Sequence, residues 1–303
     1  MHTSVIVLQL GECLLLLLSL PSLSLLLILI LTTKHFHVNF RTLLVVLCIS
    51  FLVYNGARAV HVVGGLVMGP SLPLGPVIGV SSTYGSASCF YSATFALLAL
   101  ERCLATGRVG RYERSGGVAS VLVTLGIAAL NGAVPVAIVS VKKGSIQWGA
   151  GAIAVESLAL FTISFGVHRC NRTLRSMDNR LSKKFQVQEN LQASSALFLI
   201  SLLWMGCEVA AFVALGLIIS NGYSTTSVEY SVAIEVYVLT IALYMVTFPW
   251  LFILRVKRYR DSLLGCLCRF RSSETTQHSR EEDARRETSV YFSSLALQWS
   301  SPT

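Results

Sequence analysis

The chain has 303 residues, of which 53% are hydrophobic and only 13% charged, with a formal net charge of +9. Ordinary soluble domains carry about 25% charged residues, so this composition excludes a typical soluble fold. The bases cluster in alternate loops between apolar runs, so their excess reflects membrane topology and attraction to an anionic leaflet, and nucleic acid is excluded as a partner.

A helix needs about 20 apolar residues to cross the hydrocarbon core. Seven runs of that kind are predicted, at residues 10–31, 42–67, 86–104, 118–141, 151–167, 193–219 and 231–254. The expected fold class is therefore all-α, a polytopic seven-transmembrane helix bundle. The first run has no basic flank and is too long for the apolar part of a signal peptide, so it reads as a retained first helix.

Orientation follows from the bases, because cytoplasmic loops carry the excess of Lys and Arg. Lys34 and Arg41 follow the first run; Arg108, Arg111 and Arg114 follow the third; Arg169 to Lys184 carries six bases after the fifth; Arg255 to Arg271 carries six after the seventh. The opposite loops hold Lys142 and Lys143. The N-terminus is expected outside and the C-terminus inside.

Between the second and third runs, residues 69–85 contain Pro70, Pro73 and Pro76 with several Gly and Ser, which predicts a turn-rich cap rather than a helix. Residues 169–192 have few breakers, so the fifth and sixth helices are expected to extend beyond the membrane. After the seventh run, Leu263, Leu264, Leu267 and Phe270 recur at helical spacing among arginines, the pattern of a short amphipathic helix on the inner leaflet. Cys266 and Cys268 within it are candidates for lipidation, against the plain alternative of two unmodified thiols. The expected organisation is one receptor domain over 1–271 and a polar, disordered cytoplasmic tail over 272–303.

The other cysteines do not form a secreted-domain framework: Cys48, Cys103, Cys170 and Cys207 read as small buried hydrophobes. Cys89 near the outer end of the third run has no cysteine in the second outer loop to meet, so a bridge is absent or uses Cys13. The sequon Asn171-Arg172-Thr173 falls on the inner side and is expected to be unused.

Charges within a membrane are costly, about 2.5–3.5 kcal/mol on insertion scales, and mark function by default. Glu12, Arg58, Glu156, Glu208 and Glu235 all fall in the outer half. Tyr54, Arg58 and His61 share one stripe of the second helix, Trp204, Glu208 and Phe212 one of the sixth, and Tyr91, Ser92 and Phe95 one of the third. A concave site with aromatic walls and few polar anchors suits a small molecule, so the predicted ligand pocket comprises Tyr54, Arg58, His61, Tyr91, Phe95, Trp204, Glu208 and Glu235. The bland alternative is an Arg58 to Glu235 pair that merely ties helices, with the aromatics as packing. The sequence holds no His-Glu-x-x-His, Gly-x-Ser-x-Gly or phosphate-loop motif, so neither an enzyme nor a cofactor is expected. Its six histidines are scattered, and lone histidines are more often structural than ligands.

Three ordered motifs narrow the class. Phe36-His37-Val38-Asn39-Phe40-Arg41-Thr42-Leu43-Leu44 precedes the second helix. Glu101-Arg102-Cys103-Leu104-Ala105-Thr106 ends the third, followed by Tyr112-Glu113 and Gly116, and Phe185-Gln186-Val187-Gln188-Glu189-Asn190 precedes the sixth. Together they resemble the signatures of nematode serpentine chemoreceptors of the Sra superfamily, with the alpha-beta class nearest and the epsilon and alpha classes close. The resemblance implies a G-protein-coupled chemoreceptor in the plasma membrane of chemosensory neurons. Its implied partners are a small-molecule ligand, a heterotrimeric G protein, the lipid bilayer and possible co-receptors. Arg102 at the inner mouth can exchange an acidic partner for carbonyls of an inserted G-protein helix; Glu101 and Glu189 are its expected partners, and a merely snorkelling pair is the alternative. The seventh helix has Thr247-Phe248-Pro249-Trp250 in place of Asn-Pro-x-x-Tyr, so rhodopsin-like activation geometry does not transfer. A small transporter or channel subunit is the alternative function, but it lacks the repeats and broken helices such proteins show.

Overall fold

The computed structural model describes residues 3–33, 36–68, 74–107, 146–177, 181–220 and 227–271, and the side chains of most of them. The described elements are all helices: α1 Thr3–Thr33, α2 Val38–Met68, α3 Leu74–Gly107, α4 Ile146–Met177, α5 Leu181–Ser220, α6 Val228–Arg255 and α7 Lys257–Arg271. Helices α1 to α3 hold the first three apolar runs, α4 to α6 hold the fifth to seventh, and α7 is the predicted amphipathic segment. The fourth run, 118–141, and the tail from 272 lie outside the described residues.

Among the described residues, α1, α2, α6 and the stretch Gln186–Ala210 of α5 are long and apolar enough to cross a membrane. The helices pack as a circuit, α1 against α2 and α6, α2 against α3, α3 against α4 and α5, α4 against α5, and α5 against α6. This compact unit ends at Tyr259, and a second unit begins at Arg260.

Sequence explains most of these helices locally. In α1, Glu12, Leu16, Ser19, Leu23, Leu26 and Ile30 are buried at three- and four-residue steps, while Leu10, Leu14 and Leu17 are exposed, as a helix with one face to protein and one to lipid requires. The Ser19 and Ser22 hydroxyls donate back to the carbonyls of Leu16 and Ser19 at 2.6 and 2.8 Å, so neither enters the apolar surroundings unpaired. Ser227 caps α6, its hydroxyl accepting from the Tyr230 amide at 3.1 Å. Glu229 in the first turn and Arg255 in the last complement the helix dipole.

Two expectations change, and a third alternative closes. The turn-rich cap expected over 69–85 is helical from Leu74 onward. Pro76 stands at the third helical position, where the missing N–H has no intrahelical partner to lose. Cys103 and Cys170 are exposed, and only Cys48 of the four cysteines read as buried is fully so; Cys103 and Cys170 sit on outward faces that the apolar runs alone do not distinguish. Cys13 is a free thiol, which removes the bridge to Cys89. Helices α4 and α5 do extend past their apolar runs, to Met177 and from Leu181.

Candidate functional site

Two side-chain assemblies hold most of the residues expected in the pocket. The first is ionic. Arg58 on α2 donates from Nε and Nη2 to the two carboxylate oxygens of Glu12 on α1, at 2.7 and 3.0 Å. Its Nη2 also donates to Oε2 of Glu235 on α6 at 3.1 Å, and Gln9 donates to the other Glu235 oxygen at 2.9 Å. Glu12 is wholly buried and Arg58 is 5% exposed. The guanidinium lies 5.5 Å from the centre of the Tyr84 ring, and His61 meets the same ring edge-on. Sequence reasoning paired Arg58 with Glu235; the structure gives Glu12 the bidentate contact and Glu235 a single one. Three helices are thereby tied, and Arg58 faces carboxylates rather than an open cavity.

The second assembly is aromatic. Tyr91, Ser92 and Phe95 of α3, Trp204 of α5 and Tyr244 of α6 line a narrow cleft completed by Phe51 of α2 and Leu160 of α4, with room for about one water. Phe51 lies seven residues before Arg58, so the cleft sits about 10 Å deeper than the ionic cluster at 1.5 Å rise per residue. Tyr54 stands between the two assemblies, edge-on to both Tyr84 and Tyr91. Of the eight predicted pocket residues, Tyr91, Phe95 and Trp204 line the cleft and Tyr54 backs it. Arg58 and Glu235 belong to the ionic cluster, with His61 beside it. Glu208 is buried one turn beyond Trp204 on α5, and the side chains of Glu156 and Phe212 lie outside the described residues. Phe51 and Tyr244 were missed, although Phe51 lies three residues before Tyr54 on the same stripe.

From the cleft an unbroken series of ring contacts runs inward. Trp204 meets Tyr244 at 4.8 Å between centroids, Tyr244 meets Phe248 at 6.1 Å, and Phe248 meets Phe252 at 6.3 Å. Phe252 meets Phe36 at 6.1 Å, and Phe36 meets Phe40 at 5.0 Å. Residues 244, 248 and 252 recur every four positions and so occupy one stripe of α6. Pro249 interrupts the helix there by withholding an amide from the backbone ladder.

The series ends at Arg102, whose guanidinium lies 4.3 Å from the centre of the Phe40 ring. Arg102 is 1% exposed. It makes a bidentate pair with the adjacent Glu101 and donates from Nη1 to Asn190 of α5 at 2.8 Å. Glu189, expected as a partner of Arg102, instead accepts from the His37 backbone N–H at 3.0 Å. His37 precedes α2 and accepts from Arg41 N, so Glu189 places a carboxylate at the N-terminus of α2, where the dipole favours it. Asn190 was within the sequence motif and escaped notice because it carries no charge.

Around this point further polar contacts join the inner ends. Asn171 donates to Thr106 at 2.9 Å and to the Val167 carbonyl at 3.0 Å. Arg255 of α6 donates to Ser195 of α5 at 2.6 Å. Asn171 is fully buried, so its sequon is inaccessible in this fold. His168, lowered in pKa by burial and then by Arg255 and Arg172, stacks on Phe198. Among the described residues no three His, Cys, Asp or Glu side chains converge as metal ligands would.

Among the described residues, apolar helices packed in a circuit, a cleft between them and a buried Glu-Arg pair at the opposite end define a polytopic membrane helix bundle. The model of the Sre G protein-coupled chemoreceptor family matches residues 80–300, more than half of the chain. This protein belongs to that family and is a multi-pass membrane protein. The match supports the chemoreceptor class that the motifs suggested and does not carry the alpha-beta assignment. No curated protein matches the chain.

Proposed function

We propose that this receptor binds an extracellular small molecule in the cleft formed by Tyr91, Phe95, Trp204 and Tyr244, and signals to a heterotrimeric G protein through Arg102. The observation that carries this reading is the ring series from Trp204 to Phe40, because it joins the aromatic cleft to the Glu101–Arg102 pair through packed side chains. Packed aromatic stacks resist gradual deformation and rearrange between discrete arrangements. A ligand that fits one arrangement of Tyr244 and Trp204 better than the other biases the equilibrium by its differential affinity.

At the inner end the alternative arrangement releases Asn190 from Arg102 and Ser195 from Arg255, freeing the start of α5 and the end of α6. The exposed guanidinium then meets the carbonyls of a G-protein segment. In this reading 1–271 acts as the receptor domain, with Cys266 and Cys268 in α7 as lipidation sites and 272–303 as its tail.

The test is a ligand screen on cells carrying a calcium reporter and the full chain, repeated with Arg102→Ala at matched surface density. An agonist found with the wild type should bind the variant and evoke no signal from it. Undiminished signalling from Arg102→Ala would remove Arg102 from coupling. Agonist affinity unchanged by Trp204→Ala would remove the cleft.

A further inference from the structure

We infer that Glu12 and Glu235 hold one proton between them, which makes the cluster of α1, α2 and α6 a proton-binding site. It stands apart from the aromatic cleft. Oε2 of Glu12 and Oε2 of Glu235 accept from the same nitrogen, Arg58 Nη2, at 3.0 and 3.1 Å, and the two carboxyl groups lie within hydrogen-bond reach of each other. Ionised carboxylates only accept, so a hydrogen bond between two carboxyls needs a proton on one of them.

Charge and hydrogen count agree. One guanidinium faces two carboxylates whose side chains are 0% and 13% exposed, which leaves one negative charge unbalanced where little water can screen it. Gln9, itself 9% exposed, donates its amide hydrogen to Glu235, while its own Oε1 accepts none. A bound proton cancels the charge and adds a donor, and it needs no cavity. Glu235, the less buried carboxyl, is where the proton enters and leaves; on release it passes to water and both carboxyls are then ionised.

The other titratable groups around the cluster are Cys13 of α1, Tyr54 and His61 of α2 and Tyr84 of α3. Glu208 of α5 and Tyr237 of α6 act on Tyr91 instead. Among these side-chain types only histidine ordinarily titrates near neutrality, so His61 is the competing source of any pH dependence.

The test uses the full chain in lipid nanodiscs. Infrared difference spectra at neutral pH should show the carbonyl stretch of a protonated carboxyl that is lost in Glu12→Gln and equally in Glu235→Gln, because each variant leaves a single carboxylate balanced by Arg58. The folded chain keeps a proton that the unfolded chain has released. The unfolding constant should therefore rise as pH climbs above the ordinary carboxylate range, by up to about tenfold per unit for one proton. Glu235→Gln should remove this dependence and His61→Gln should keep it. Glu235→Gln alone carries both readouts if Glu12→Gln folds poorly.

A carboxyl band unchanged in Glu235→Gln, or one pH dependence common to that variant and the wild type, would overturn the inference. So would stabilisation by sodium at fixed pH that Glu235→Gln abolishes, which assigns the balancing charge to a metal ion. Loss of the proton site leaves the receptor reading intact, and a ligand screen without agonists leaves the proton site standing.

Discussion

The ionic cluster of α1, α2 and α6 sets one guanidinium against two carboxylates, and this inequality predicts an asymmetric response to substitution. Arg58→Gln leaves Glu12, wholly buried, and Glu235 facing each other without a cation. Removing one partner of a buried pair costs about 3–5 kcal/mol, so this variant should lose at least that. Glu235→Gln removes the excess charge and keeps an oxygen for Arg58 Nη2. Its new amide group can donate to Gln9 once the Gln9 amide turns over, because Gln9 Oε1 is buried without a partner in the native structure. No hydrogen bond is lost, and the expected change is within about 0.5 kcal/mol, the scatter of neutral substitutions.

Glu12→Gln exchanges one acceptor for a donor that faces Arg58 Nη2, so it should cost about one hydrogen bond, 0.5–1.5 kcal/mol. The double variant Glu12→Gln with Glu235→Gln strands Arg58 and should be as damaging as Arg58→Gln, far from the sum of its parts. Unfolding free energies of the purified chain in mixed micelles, with surface density in cells as a second readout, measure all four. Equal losses for Glu235→Gln and Arg58→Gln, or additive behaviour of the two glutamine substitutions, would refute the charge argument.

Two other outcomes are expected. Glu189→Ala removes the carboxylate at the N-terminus of α2 and should cost about 0.5–2 kcal/mol; by loosening α5 from α2 it should also raise agonist-free nucleotide exchange on the G protein, and unchanged basal exchange would separate this contact from signalling. Replacing Cys266 and Cys268 together by serine should abolish incorporation of a palmitate analogue into the chain, and a wild type that takes up no label in cells acylating other receptors would end the lipidation proposal.

Sequence alone determined what depends on solvent. The apolar runs fix which segments cross a bilayer, because length and hydropathy decide transfer into lipid whatever the neighbours. The outer-half charges marked themselves by their cost, and the three inner motifs were local in sequence. Partnership was a different matter. Counting residues places Glu12, Arg58 and Glu235 at one depth, but rotation about each helix axis is set by packing against neighbours. Only the tertiary structure therefore gave Arg58 to Glu12 first, moved Glu189 from Arg102 to the start of α2 and put neutral Asn190 in its place. The same cause divided the predicted pocket into an ionic tie and a deeper aromatic cleft, since residues sharing a helical stripe can still meet different helices at successive turns.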